Sequence, residues 1–343
     1  MSNEAKVELL WWMEQLPNHN GRPIHQPVPT VTIQTDASLQ GWGALCDNKT
    51  VLGHWSAEER TRHINELELL TVMFAVQSFL QDKTNIHVVV QIDNTTAVAY
   101  INHQGGTHSK KLCTTALQIW EWCLQRSITL QAEHIPGLQN RMADALSRQP
   151  ENPHDYMLNP VVFRQLCQVT FTPTIDLFAS RVTRQLLKYV AWKPDPQAVG
   201  QDAFTIHWAT ERPYLFPPLP LIGRCLHKIT QDRAVVLFIA PVWANRPWYT
   251  RLLQMSVQQP FLLPHQEQLV TNPHTNRPVH FNIHPLAAWI LSGDTIEARA
   301  FQRKLPRYFS EPQDSRHQFS MTENGRPIVA GVYEGKLIHF QHL

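Results

Sequence analysis

Four acidic residues sit at strand ends or within helices that face one sheet, and two of them, Asp36 and Asp93, stand where strands rarely tolerate an acid. Asp36 falls inside the alternating stretch "TVTIQTDAS", and Asp93 closes the apolar run "IHVVVQID". Glu68 sits within the hydrophobic stretch "INELELLTVMFAV", and Asp144 lies between two alanines in "HIPGLQNRMADALSR". Aspartate is depleted from strands, and a carboxylate buried without a partner is costly. If the strands carrying Asp36 and Asp93 are neighbours, the two side chains lie side by side, and like charges that close resist ionising together. A divalent cation resolves the conflict. Carboxylate oxygens suit Mg²⁺ or Mn²⁺, and four acids can hold two ions about 4 Å apart, the arrangement that stabilises both the attacking and the leaving oxygen in phosphodiester hydrolysis.

The elements that must position these acids follow from hydrophobic periodicity. Residues 4–15 have helical spacing and lead into a proline-rich linker that ends near residue 30. Three strands follow as an antiparallel meander: "TVTIQTDAS", "GWGALCD" and "VLGHWS". "INELELLTVMFAVQSFLQ" predicts a long, partly buried helix. "IHVVVQID" reads as a central strand buried on both faces and, because a crossover helix precedes it, parallel to the first strand. "TTAVAYINH" and "KKLCTTALQIWEWCLQR" predict two helices, "ITLQAEHI" a fifth strand and "NRMADALSR" a last helix. The expected class is α/β, with a five-stranded mixed sheet and flanking helices over residues 31–150.

Composition narrows the chemistry further. The chain has 343 residues, enough for two domains, and Lys plus Arg (30) exceed Asp plus Glu (28) by only two. That balance excludes a protein that grips nucleic acid by bulk positive charge, so any such contact must be local or metal-assisted. Five widely spaced cysteines (Cys46, Cys113, Cys123, Cys167, Cys225) without a C-x-x-C pair argue against a disulfide framework or a zinc knuckle and point to a reducing compartment, cytoplasmic or nuclear. The N-terminal stretch has neither a signal-peptide pattern nor an apolar run of membrane-spanning length, so no membrane partner is expected.

"TDAS" followed by "GWGA", the "INELELLTVMFAV" helix, "QIDN" and "HIPGLQNRMADALSR", in that order over residues 31–150, resemble the ribonuclease H domain that follows reverse transcriptase in retroelements, most closely of the DIRS type. The resemblance implies a ribonuclease H-like fold and hydrolysis of the RNA strand of an RNA–DNA hybrid. It implies that Asp36, Glu68, Asp93 and Asp144 are the metal-binding acids of a two-ion Mg²⁺ or Mn²⁺ site. Glu66 competes for the second position, but E-L-L-T-V from Glu68 fits the family pattern better than E-L-E-L-L from Glu66. A histidine ten positions before the last acid also belongs to that pattern and is His134 here, on a loop near the leaving group; imidazole suits proton transfer near neutrality. Reading a hybrid requires sensing the 2′-hydroxyl on one strand, and Gln40, Asn94, Lys110 and Lys111 are the candidate contacts. The helix and linker of residues 1–30, with "NGRPI" at 20–24, resemble a connection to a polymerase, which makes a reverse transcriptase encoded upstream an expected partner.

Residues 151–172 form a connector in which "PVVFRQLCQV" is helical, and residues 173–257 alternate between strand and helix. This second α/β, Rossmann-like region resembles the adenine-methyltransferase-like region of DIRS elements. There Asp176 stands near the cofactor motif, and Phe216, Pro217 and Pro218 replace the usual Asn/Asp-Pro-Pro-aromatic loop. Phenylalanine cannot accept the hydrogen bonds that the lost amide or carboxylate would, so the region is read as degenerate. Residues 258–343, including "HPLAAWILSG", are read as irregular apart from one helical stretch. Rival readings are a transposase-type nuclease, disfavoured because its glutamate comes late in the domain, a binding protein with a silent site, and methyl transfer by the second region.

Overall fold

The computed structural model describes residues 3–19, 28–150, 155–279, 285–307, 321–323, 326–328 and 330–343. Helix α1 (Asn3–His19) leaves Trp11, Trp12 and Met13 exposed; the 20–24 "NGRPI" segment lies outside the described residues. The first sheet is built from β1 (Val31–Ala37), β2 (Gly41–Cys46), β3 (Lys49–His54), β4 (His87–Ile92) and β5 (Thr129–His134), in the order β3-β2-β1-β4-β5. β1, β2 and β3 pair antiparallel, whereas β4 pairs parallel with both β1 and β5. Val88, Val89, Val90 and Ile92 are all buried, as a strand covered on both faces requires.

Helix α2 (Ile64–Leu80) buries eleven residues, which is why its sequence is apolar nearly all the way round. It packs with α3 (Thr95–Asn102) and α4 (Lys110–Leu124), while α5 (Arg141–Ser147) lies against β1 and β2. The five-stranded mixed sheet expected over residues 31–150 is therefore present, with its antiparallel meander and a fourth strand parallel to the first.

A second sheet has six strands in the order 341–342, 261–262, 286–292, 235–241, 213–215, 175–176. The strands at 175–176, 213–215 and 235–241 are parallel, and α7 (Ile222–Asp232) crosses between the last two. α6 (Pro160–Val169) matches the helix expected in the connector. The reading of residues 258–343 needs correction. The one helical stretch is present at Thr295–Arg303, but the rest is not irregular: Leu286–Ser292 is a wholly buried strand, paired antiparallel along its length with 235–241, and the segment supplies three of the six strands. A short, continuously apolar run does not separate a core strand from a buried helix, and here the partner strand decides. No helix among the described residues is long and apolar enough to cross a membrane.

Candidate metal centre

Parallel register brings the first two acids together. Gln34 on β1 stands opposite Gln91 on β4, and their side chains hydrogen-bond at 3.0 Å. Asp36 is two residues past the first and Asp93 two past the second, so both project from the same end of adjacent strands. Glu68 reaches them from α2, and one carboxylate oxygen from each of Asp36, Glu68 and Asp93 lies within 4.8 Å of the others. Asn94 caps α3 by accepting from the Ala97 N–H and donates to Asn65 at 2.9 Å, tying the end of β4 to α2 one turn before Glu68.

The electrostatics are those of crowded, buried acids. Burial, with Asp36 and Asp93 adding repulsion, pushes the Glu68 carboxyl up to about 9. Burial also raises Asp36 to about 6, opposed by a hydrogen bond from Ser147 and reinforced by the charges of Asp93 and Asp144. Glu68 accepts the Ala37 N–H, yet its Oε2 is buried with no hydrogen-bond partner. An orphaned carboxylate oxygen beside two further carboxylates makes a set of hard oxygen donors that fits Mg²⁺ or Mn²⁺. Glu66, two residues earlier on α2, points elsewhere and is ion-paired with Arg62 at 2.8 Å.

Asp144 stands at the rim. Its Oδ1 accepts from Arg148 Nε at 2.7 Å, and its charge reaches Asp36 although its carboxylate is not among the three clustered ones. His134 is the exposed last residue of β5, opposite Ile92 of β4, so it extends from a strand end rather than a free loop. The neighbouring turn is close, since a side chain on Gly137 would come 3.3 Å from Asp93 Oδ2. Gln40 is exposed in the β1–β2 turn, and Lys110 and Lys111 are exposed on the first turn of α4.

Two residues that sequence reasoning passed over fix α5 to this centre. Buried Asn140 donates to the Thr35 carbonyl at 2.8 Å, and Ser147 Oγ donates to Asp36 Oδ2 at 2.6 Å. Their signal was weak: two small polar residues flanking Asp144, of a kind usually found in solvent. Close approach of α5 also needs Gly43, where a Cβ would fall 2.4 Å from Leu146 Cβ and 2.8 Å from the Ala143 carbonyl. Gly43→Ala is expected to lower unfolding free energy by about 1–3 kcal/mol, read from the urea midpoint, because backbone has to move.

In the second sheet region, Asp176 is fully buried and raised to about 7 by that burial. Its two oxygens accept the N–H groups of Phe178 and Gln185, so it ties down its own loop. A cavity of about 480 Å³ adjoins that loop, lined among others by Phe178, Trp192, Asp195, Asp202 and Phe216.

Residues 31–149 match the family model described as "Reverse transcriptase-like". The enzymatic polyprotein of Cauliflower mosaic virus (strain CM-1841) is 30% identical over 161 residues, 42% of this chain and 23% of that protein. That of Carnation etched ring virus is 27% identical over 134 residues, 36% of this chain and 20% of that protein. The chain thus spans less than a quarter of the length of these relatives. Among solved structures, RNase H1 from the halophilic archaeon Halobacterium salinarum NRC-1 has 16% identity and a TM-score of 0.29, covering 34% of this chain and 92% of that one. LC11-RNase H1 in complex with RNA/DNA hybrid has 18% identity and the same TM-score of 0.29, covering 34% and 93%. Residues 31–149 are thus similar in sequence to the reverse-transcriptase-like family and to part of these viral enzymatic polyproteins.

Proposed function

We propose that residues 31–150 are a ribonuclease H-like nuclease that hydrolyses the RNA strand of RNA–DNA hybrids, in a retroelement-derived chain that works beside a reverse transcriptase encoded upstream. The observation that carries this reading is the convergence of Asp36, Glu68 and Asp93 within 4.8 Å, with Glu68 Oε2 unpartnered. Of the nearby cations, Arg62 is paired with Glu66 outside the cluster, and Arg148 is paired with the rim acid Asp144, from where its charge also reaches Asp36.

Asp36, Glu68 and Asp93 would hold the cation, with Asp144 completing a two-ion set from the rim. Bound Mg²⁺ or Mn²⁺ would supply charge neutralisation of the phosphate and a hydroxide-like nucleophile near neutral pH. The chain's own contribution is preorganisation. Ser147 orients Asp36, the Ala37 N–H orients Glu68, and the parallel β1–β4 register holds Asp36 and Asp93 at one depth. His134, exposed at the end of β5, is assigned proton transfer to the leaving oxygen. Gln40, Lys110 and Lys111 are assigned to the substrate backbone. Asn94 is also assigned to the hybrid, although its side-chain amide is already bonded to Asn65.

A uniformly labelled RNA–DNA hybrid is expected to be cut in Mg²⁺ and to survive intact in EDTA. Preferential cutting of duplex DNA would instead favour the transposase reading, and no cutting of either would favour a silent binding protein.

A further inference from the structure

The segment beyond residue 155 touches the nuclease domain at one place with unusual chemistry. Arg181 lies at the junction with its side chain only 11% exposed, and its guanidinium makes a two-pronged pair with Glu59 at 2.7 and 2.9 Å. It stacks 4.5 Å from the ring of Phe74 on α2, and it donates to the His54 carbonyl at 3.2 Å. His274, from a separate loop and 2% exposed, has Nδ1 3.4 Å from the carbonyl of the next residue, Trp55. Its Nε2 lies 3.2 Å from Asp155, and its ring packs edge-on against His54 at 5.1 Å. Two distant parts of the second segment thus hold consecutive carbonyls at the end of β3.

From Trp55 a continuous set of hydrogen bonds runs to the acids. Fully buried Trp55 donates from Nε1 to the Ser38 carbonyl at 2.8 Å. Ser38 Oγ donates to the Ser147 carbonyl at 2.7 Å, and Ser147 Oγ donates to Asp36 Oδ2 at 2.6 Å. Phe74 adds a parallel route through packing: its ring contacts Trp42 and Trp55 while its helix carries Glu68.

We infer that the second segment is a brace for the metal centre, and that Arg181 and His274 are positioning residues for Asp36 acting through Trp55, Ser38 and Ser147. This rests on the nuclease reading of residues 31–150. Groups that hydrogen-bond a metal-binding carboxylate set its orientation, and disturbing them typically lowers metal affinity about 10–100-fold. A brace that acts on Ser147 from outside is expected to act through the same quantity.

The test is Mn²⁺ binding to the full chain by calorimetry, alongside hybrid cleavage. Arg181→Met is expected to weaken Mn²⁺ binding about tenfold and to lower kcat at fixed Mn²⁺ while leaving the hybrid KM unchanged. Arg181→Lys, which keeps the charge but not the two-pronged geometry, is expected to recover part of the loss. Glu59→Gln loosens the brace from the nuclease side and serves if Arg181→Met does not fold. In a double-mutant cycle, Arg181→Met with Ser147→Ala is expected to lose less than the two single losses combined, because both act on Asp36. Full Mn²⁺ affinity in a folded Arg181→Met or Glu59→Gln chain, or strict additivity with Ser147→Ala, would overturn the inference. Absence of Mn²⁺ binding by the unaltered chain would overturn the nuclease reading itself, and the brace with it.

Discussion

Asp93→Asn is expected to abolish metal-dependent cleavage of a labelled RNA–DNA hybrid while leaving the fold intact. The substitution keeps side-chain shape and removes one of three clustered carboxylates. Loss of several kcal/mol of charge stabilisation corresponds to roughly a thousandfold or more in rate, at about 1.4 kcal/mol per factor of ten. Folding is not expected to suffer, because Asp93 is only half-buried and its removal relieves repulsion on Asp36 and Glu68. The melting temperature in EDTA should therefore equal or exceed that of the unaltered chain. Glu66→Gln is the internal control: on the same helix, but paired with Arg62 and outside the cluster, it should retain cleavage. Retained cutting by Asp93→Asn would sink the assignment, and equal loss in both variants would show that neither reports on the cluster.

The second expected result concerns pH. Folding raises Glu68 from its ordinary 4.5 to about 9 and Asp36 from 3.8 to about 6, so in the metal-free protein the folded state holds more protons than the unfolded one between those limits. Stability contributed by these groups is fully present below their unfolded values and is lost as pH rises through the folded ones. The metal-free melting temperature is therefore expected to fall steadily from about pH 5 to about pH 9, with Glu68 responsible for most of the decline above about pH 6. A divalent cation binds the ionised carboxylates and displaces protons, so the rise in melting temperature on adding Mg²⁺ should grow over the same range. Glu68→Gln should flatten the metal-free profile above about pH 7, leaving the decline below it that Asp36 and Asp176 contribute, and abolish most of the Mg²⁺ effect. A metal-free profile that is flat, or that rises with pH, would show that Glu68 is not the strained acid its surroundings make it.

Much of the first domain was legible because its signals are local and redundant. Strand "IHVVVQID" announced burial on both faces, the meander announced antiparallel pairing, and Asp36 and Asp93 stood out as acids in strands. The choice between Glu66 and Glu68 was legible only through a family pattern. In the structure it turns on which glutamate has a cation beside it, and Arg62 holds Glu66. The second half was harder to read. "HPLAAWILSG" becomes a core strand only because 235–241 lies alongside it, and its own periodicity favours neither state. Asn140 and Ser147 were invisible for a related reason: a small polar residue becomes informative only when burial leaves it one partner, here the Thr35 carbonyl and Asp36.

By itself, the sequence determined which residues could bear a metal, the order of the elements that carry them, and the strand ends from which Asp36 and Asp93 project. Those depend on residue type and short-range periodicity, which are written along the chain. Only the tertiary structure decided that three carboxylates meet within 4.8 Å while Asp144 stays at the rim with Arg148, and that Arg181 and His274 grip the end of β3. The clustered carboxylates come from elements 25 to 57 positions apart, and the grips on the end of β3 join residues more than a hundred positions apart; the strength of both comes from the exclusion of water, a property that exists only once the chain has closed around them.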